Sequence, residues 1–286
     1  MKKIKILLLL IISSFLLSGC EKNNLDNANI YTTIYPIKYI IEFIYGNNST
    51  VESIYPDGVN LNEYSLTDKQ VDNYSTGDLF IYIGLSNEKE IAKSFINKNH
   101  KMLIIDATYG LNSDNITELW LAPNNFLMLA KNIKNSLNDY LDNTIKEEEV
   151  TDLYNKLYEK VSWIDAELRN IAKEAQKGGN NTLIVSSNSL NFLNNYGFKV
   201  ISLEDIEKSG SVNALNDLKN RFKNATYTSV LKLNTEENTE LMNELVSKYK
   251  ANILEINDLV TNSDTASDYI TVQYENIAII RDLLLK

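Results

Sequence analysis

Apolar or aromatic side chains recur at Val150, Tyr154, Leu157, Val161, Ile164, Leu168, Ile171 and Ala175, an unbroken 4-3 spacing with charged residues in between. Positions three and four apart share one face of an α-helix. Residues 147–178 therefore read as one helix, about 45 Å long at 1.5 Å per residue, ended by Gly178-Gly179-Asn180-Asn181. Such a helix must run along the whole protein or pair with a second copy. The spacing covers fewer than four complete heptads, so the helix is expected to pack on its own chain and leave a monomer. On either side of it, short β-branched runs alternate with amphipathic segments. Strands are expected near Ile30–Ile34, Val51–Tyr55, Leu79–Ile83 and Met102–Ile105, and again at Thr182–Ser186, Lys199–Leu203, Tyr227–Leu233 and Asn252–Ile256. Pro123 opens a helix to about Tyr140, and a closing helix starts near Asp268. Strands that alternate with helices make parallel sheets. The expected fold is α/β: an N-terminal lobe over 30–146 and a C-terminal lobe over 179–286, joined by one long rigid helix with a cleft between them.

The first nineteen residues stand outside that plan. Lys2, Lys3 and Lys5 precede an apolar run from Ile6 to Ile12, and Leu17-Ser18-Gly19-Cys20 follows. The run is shorter than the roughly 20 residues that span a bilayer. Basic residues, a short apolar stretch and a small-residue ending read as a secretory signal over 1–19. The same ending resembles the lipobox of bacterial lipoproteins, which implies that Cys20 becomes the lipidated N-terminus. Residues 20–29 are polar without apolar periodicity and read as a tether. The mature chain is then expected outside the cytoplasm, lipid-anchored to the bacterial cell membrane.

Composition narrows the function classes. Of 286 residues, 44% are apolar and 23% charged, the balance of a folded globular protein. Cleaving the signal removes three lysines and no acids, taking the net charge from −10 to −13 and disfavouring a nucleic-acid partner. One cysteine and one histidine leave no intrachain disulfide and no Cys/His zinc cluster. That histidine, His100, falls in the polar run Asn97-Lys98-Asn99-His100-Lys101 and reads as a surface residue. No Gly-rich phosphate loop follows a strand, no Gly-x-Ser-x-Gly elbow is present, and a Ser/His/Asp triad would have to use His100. The chain is not expected to be an enzyme. Tyrosine (17) and asparagine are abundant throughout, which reads as compositional drift.

Several segments, in order, carry a family resemblance: Thr32-Thr33-Ile34-Tyr35-Pro36, Tyr55-Pro56-Asp57-Gly58-Val59, Asn62-Glu63-Tyr64, Gly77-Asp78-Leu79-Phe80-Ile81-Tyr82-Ile83-Gly84-Leu85, Trp120-Leu121-Ala122-Pro123, Asp268-Tyr269 and Glu275-Asn276. The chain resembles the solute-binding lipoproteins of zinc and manganese ABC transporters, the ZnuA/TroA-like family. That resemblance implies two α/β lobes bridged by a long helix, a metal ion in the cleft, and an ABC transporter permease as partner. The family's cleft holds three histidines with a carboxylate, or two of each. Carried over position by position, the matching residues are Asn62, Glu118, Ser187 and Asp258. Ser187 requires a one-residue gap before Tyr196-Gly197, with Ser186 and Asn188 as its neighbours. Both carboxylates remain and every imidazole is gone.

An amide oxygen, a hydroxyl and two carboxylates form an all-oxygen set that suits Mg²⁺, Ca²⁺ or Mn²⁺ better than Zn²⁺. The implied ligand is a divalent metal ion, zinc, manganese or another. The alternative is a lipoprotein that kept the fold, binds no metal and serves in surface adhesion or envelope interaction.

Overall fold

Eight short strands form two separate parallel sheets in the computed structural model, which describes residues 25–46, 49–56, 64–261 and 267–285. The first sheet contains β1 (Ala28–Thr32), β2 (Ser49–Ser53), β3 (Leu79–Tyr82) and β4 (Leu103–Asp106) in the order β2-β1-β3-β4. The second contains β5 (Thr182–Val185), β6 (Lys199–Ser202), β7 (Ser229–Leu233) and β8 (Asn252–Ile256) in the order β6-β5-β7-β8. Ile30 registers with Val51 and Leu79 in the first sheet, and Leu231 with Leu254 in the second.

The burial of each strand follows from its place. β3 is interior, and Leu79, Phe80 and Ile81 are wholly buried, as expected for a parallel strand covered on both faces. β2 lies at an edge and alternates between half-buried and exposed residues. Lys232 is the charged exception within β7. Its Nζ donates to the Glu236 carbonyl at 2.7 Å and pairs with Glu255 at 3.2 Å, which makes a buried ammonium tolerable.

The helices of the first lobe are α1 (Tyr35–Tyr45), α2 (Asp68–Tyr74), α3 (Glu88–Lys98), α4 (Glu118–Leu121) and α5 (Pro123–Tyr140). Pro36 and Pro123 occupy first turns, where a missing N–H costs nothing. His100 is exposed between α3 and β4. The long helix α6 spans Thr144–Lys177. It starts ahead of the expected residue 147 because the Asn143 side chain accepts from the N–H groups of Ile145 and Lys146, at 3.0 and 3.4 Å. Val150, Leu157, Val161, Ile164, Leu168, Ile171 and Ala175 are buried, and Tyr154 is half-buried. That stripe packs on α1 and α5 of the first lobe.

The second lobe adds a 3₁₀ segment (Asn188–Tyr196), α7 (Leu203–Ser209), α8 (Val212–Lys223), α9 (Glu240–Tyr249) and α10 (Tyr269–Leu284). The 3₁₀ segment and α10 also pack on α6, so the long helix touches both lobes. Although α10 follows the second sheet in sequence, its first turn docks on the first lobe. The Tyr269 ring stacks on Phe126 at 4.0 Å and on Tyr39 at 5.5 Å between centroids. Its hydroxyl donates to the Trp120 carbonyl and accepts from Gln273 Nε2 at 2.9 Å. The lobes are therefore tied by two helices, α6 and α10.

Candidate functional site

Open parallel sheets bind ligands beyond the C-terminal ends of their strands, and here the two sheets turn those ends toward each other. Tyr35, just past β1, donates its N–H to the Val260 carbonyl beyond β8 at 3.1 Å. Asn115, beyond β4, donates through Nδ2 to Asn188 Oδ1, beyond β5, at 2.8 Å. Trp120 Nε1 donates to the Asp258 carbonyl at 2.8 Å.

Three of the four residues carried over from the resemblance lie along this junction, and Asn62 and Cys20 lie outside the described residues. Glu118 is the first residue of α4 and is half-buried. Burial pushes its carboxyl above the usual carboxylate range, while the N–H of Phe192 from the opposite lobe pulls it back. Ser187 caps the 3₁₀ segment, with its Oγ accepting from the Ser189 N–H at a long 3.4 Å, and is half-buried. Neighbouring Ser186 is buried and donates to Glu236, so its hydroxyl is committed inside the lobe.

Asp258 is 5% exposed and held on every side. Its Oδ2 accepts from Thr235 Oγ1, its Oδ1 from the Val260 N–H at 3.1 Å, and its own N–H donates to Asn234 Oδ1 at 2.9 Å. The next residue, Leu259, has φ +62°, a left-handed conformation that costs a non-glycine roughly 1–2 kcal/mol. That turn brings the Val260 carbonyl to Tyr35 and the Val260 N–H back to Asp258.

Glu118 also lines a cavity of about 380 Å³ that the four-residue set did not anticipate, together with Asn112, Asp114 and Asn125 of the first lobe and Asn188 and Asn191 of the second. Clusters such as Asn112-Ser113-Asp114-Asn115, in the loop that follows β4, were the available signal. In a chain rich in asparagine throughout, that signal does not stand out. Among the described residues, no three His, Cys, Asp or Glu side chains gather closely enough to hold a metal ion.

The family described as zinc-uptake complex component A, periplasmic, matches residues 30–283. The chain belongs to the ZnuA family. Solved structures agree in fold: the metal-dependent lipoprotein YcdH from Bacillus subtilis superposes with TM-score 0.73 at 21% identity, covering 91% of this chain and 100% of that one. The Zn(II)-bound ZnuA-like domain of AdcA from Streptococcus pneumoniae gives TM-score 0.71 at 22% identity, covering 91% and 100%. A ZnuA crystal structure gives 0.71 at 19%, covering 90% and 99%. ZnuA-family proteins are extracytoplasmic components of metal transport, and among the described residues no helix is long and apolar enough to cross a membrane.

Proposed function

We propose that this chain is the lipid-anchored solute-binding component of an ABC importer of divalent metal ions. Cys20 carries the lipid, a membrane permease receives the cargo, and Asn62, Glu118, Ser187 and Asp258 offer oxygens to the ion. The observation that supports this most is the position of Glu118, Ser187 and Asp258 at the facing strand ends of a ZnuA-family fold. Two carboxylates and two neutral oxygens, without imidazole, favour manganese, magnesium or calcium over zinc. One observation favours a second function. The Asp258 carboxylate already accepts from Thr235 and Val260, which suits a lipoprotein that keeps the fold for envelope interaction or adhesion and binds no metal.

Calorimetry and native mass spectrometry of the mature chain separate the two. Metal import predicts manganese or magnesium binding at least as tight as zinc binding, weakened tenfold or more in the Glu118→Ala/Asp258→Ala double variant. A folded chain whose mass is unchanged by chelator, and which takes up none of these ions, establishes the metal-independent role. Tight zinc binding that survives the double variant places the site elsewhere.

A further inference from the structure

The two sheets share one plan: β1 lies between β2 and β3 as β5 lies between β6 and β7. In each lobe a hydroxyl residue directly follows the first of these inner strands, Thr33 after β1 and Ser186 after β5, and a glutamate beyond the second, β3 or β7, reaches back to that strand's end. Glu236 Oε2 accepts the Leu233 N–H at 3.3 Å, and the Ser186 hydroxyl donates to the same oxygen. Glu88 Oε2 accepts the Ile83 N–H at 2.7 Å, but Thr33 Oγ1, which adjoins the carboxyl, makes no hydrogen bond. The same contact is closed in the second lobe and open in the first.

A second hydroxyl is idle beside Glu88. Tyr55, just past β2, lies near enough to feel the charge of Glu88, and its hydroxyl, like that of Thr33, is buried without a partner among the described residues. Thr33, Tyr55 and Glu88 are each more than nine-tenths buried. Idle buried hydroxyls are rare, because each forfeits the hydrogen bonds it made to water. What these two can do depends on the proton of Glu88. A carboxylic acid has an O–H to donate, whereas a carboxylate only accepts and has room for several donors.

Burial and the charge of Asp106 push the Glu88 carboxyl up to about 7. Asp106, at the end of β4, is fixed by the N–H groups of Gly84 and Thr108 and by the Thr108 hydroxyl. The other titratable groups that face Glu88 are Tyr55 and Tyr82, whose phenols are held above their usual range by burial and so stay protonated donors. No cation is among the groups that act on Glu88, and the Ser86 hydroxyl is spent on the Ile83 carbonyl. Thr33 and Tyr55 are the donors left. The Tyr55 ring meets Tyr64 edge-on at 5.2 Å between centroids, so a movement of one reaches the other.

We infer that Glu88 is a proton-operated latch inside the first lobe: when its carboxyl loses the proton to water, the carboxylate takes hydrogen bonds from the Thr33 and Tyr55 hydroxyls, and the Tyr55–Tyr64 pair shifts with them. Ionisation closes the contact that Ser186 and Glu236 already make in the second lobe, and protonation opens it again. The latch works whether or not a metal ion binds, and it acts on the two tyrosines that flank the segment containing Asn62.

NMR of the mature chain with ring-labelled tyrosine and carboxyl-labelled glutamate tests it, the signals being assigned with Tyr55→Phe, Tyr64→Phe and Glu88→Gln. The Tyr55 and Tyr64 rings and the Glu88 carboxyl should titrate together, with one midpoint near pH 7. Glu88→Gln should flatten both ring curves. Thr33→Val should raise the midpoint by about one pH unit, because the carboxylate loses a donor. Rings that do not respond between pH 5 and pH 9, ring curves that survive Glu88→Gln, or a midpoint unmoved in a folded Thr33→Val chain would each overturn the latch. If neither variant folds, the wild type still decides: ring and carboxyl midpoints that differ by more than their error mean that the tyrosines answer to another group.

Discussion

Glu88 is a carboxylic acid almost without water: it is 3% exposed, at the first turn of α3, and accepts the Ile83 N–H at 2.7 Å. Burial raises its pKa from 4.5 to about 7 and nearby Asp106 adds to the rise, while the Ile83 N–H opposes it. Because the folded value lies above the unfolded one, the unfolded chain loses its proton first as pH rises. Stability is therefore complete below about pH 4.5, falls on the way to about pH 7, and levels off above it, by a total on the order of 3 kcal/mol. Glu88→Gln keeps an acceptor for Ile83 and removes the proton. Its melting temperature should gain on the wild type between pH 5 and pH 8, and thermal unfolding curves that shift in parallel would show that Glu88 does not titrate in this way. Nothing in the sequence marks Glu88, since its burial arises only where β3, α3 and the ends of neighbouring strands meet. The same applies to Asp258: the sequence can place it after a strand, but not reveal that Thr235 and Val260 occupy its oxygens.

At the scale of elements, α10 shows how far packing exceeds what chain order suggests. Its first residue, Tyr269, is stacked between rings from α1 and α5 and bonded to the carbonyl of Trp120 in α4, joining segments far apart in sequence. Tyr269→Ala should lower the unfolding free energy by about 3–5 kcal/mol, the range for emptying a buried aromatic site. Tyr269→Phe, which keeps the ring and loses the hydroxyl, should cost about 1–3 kcal/mol because the Trp120 carbonyl and the Gln273 amide lose a partner. Urea unfolding measures both, and equal costs would mean that stacking contributes nothing. The closing helix could be read from the sequence because helical periodicity belongs to neighbours on one chain. Its docking on the opposite lobe could not, because Phe126 and Tyr39 are near Tyr269 only once both lobes have formed.

For the whole molecule, two helices and the junction bonds Tyr35–Val260, Asn115–Asn188 and Trp120–Asp258 hold the lobes together. Bending the buried stripe of α6 would separate it from α1 and α5 on one side or α10 on the other. Ligand binding should therefore leave the radius of gyration from small-angle scattering unchanged within error, with any response confined to cleft loops. A contraction like that of a two-strand hinge closing on its ligand would contradict this. The sequence by itself determined the two βα series, the long helix between them and the presence of a single histidine, because periodicity and residue type are local properties. Only the tertiary structure decided the strand orders, the facing of the two sheets, the return of α10 to the first lobe and the amide-lined cavity at the junction. Those depend on contacts between distant residues, and on which hydrogen-bonding groups are already paired when the lobes meet.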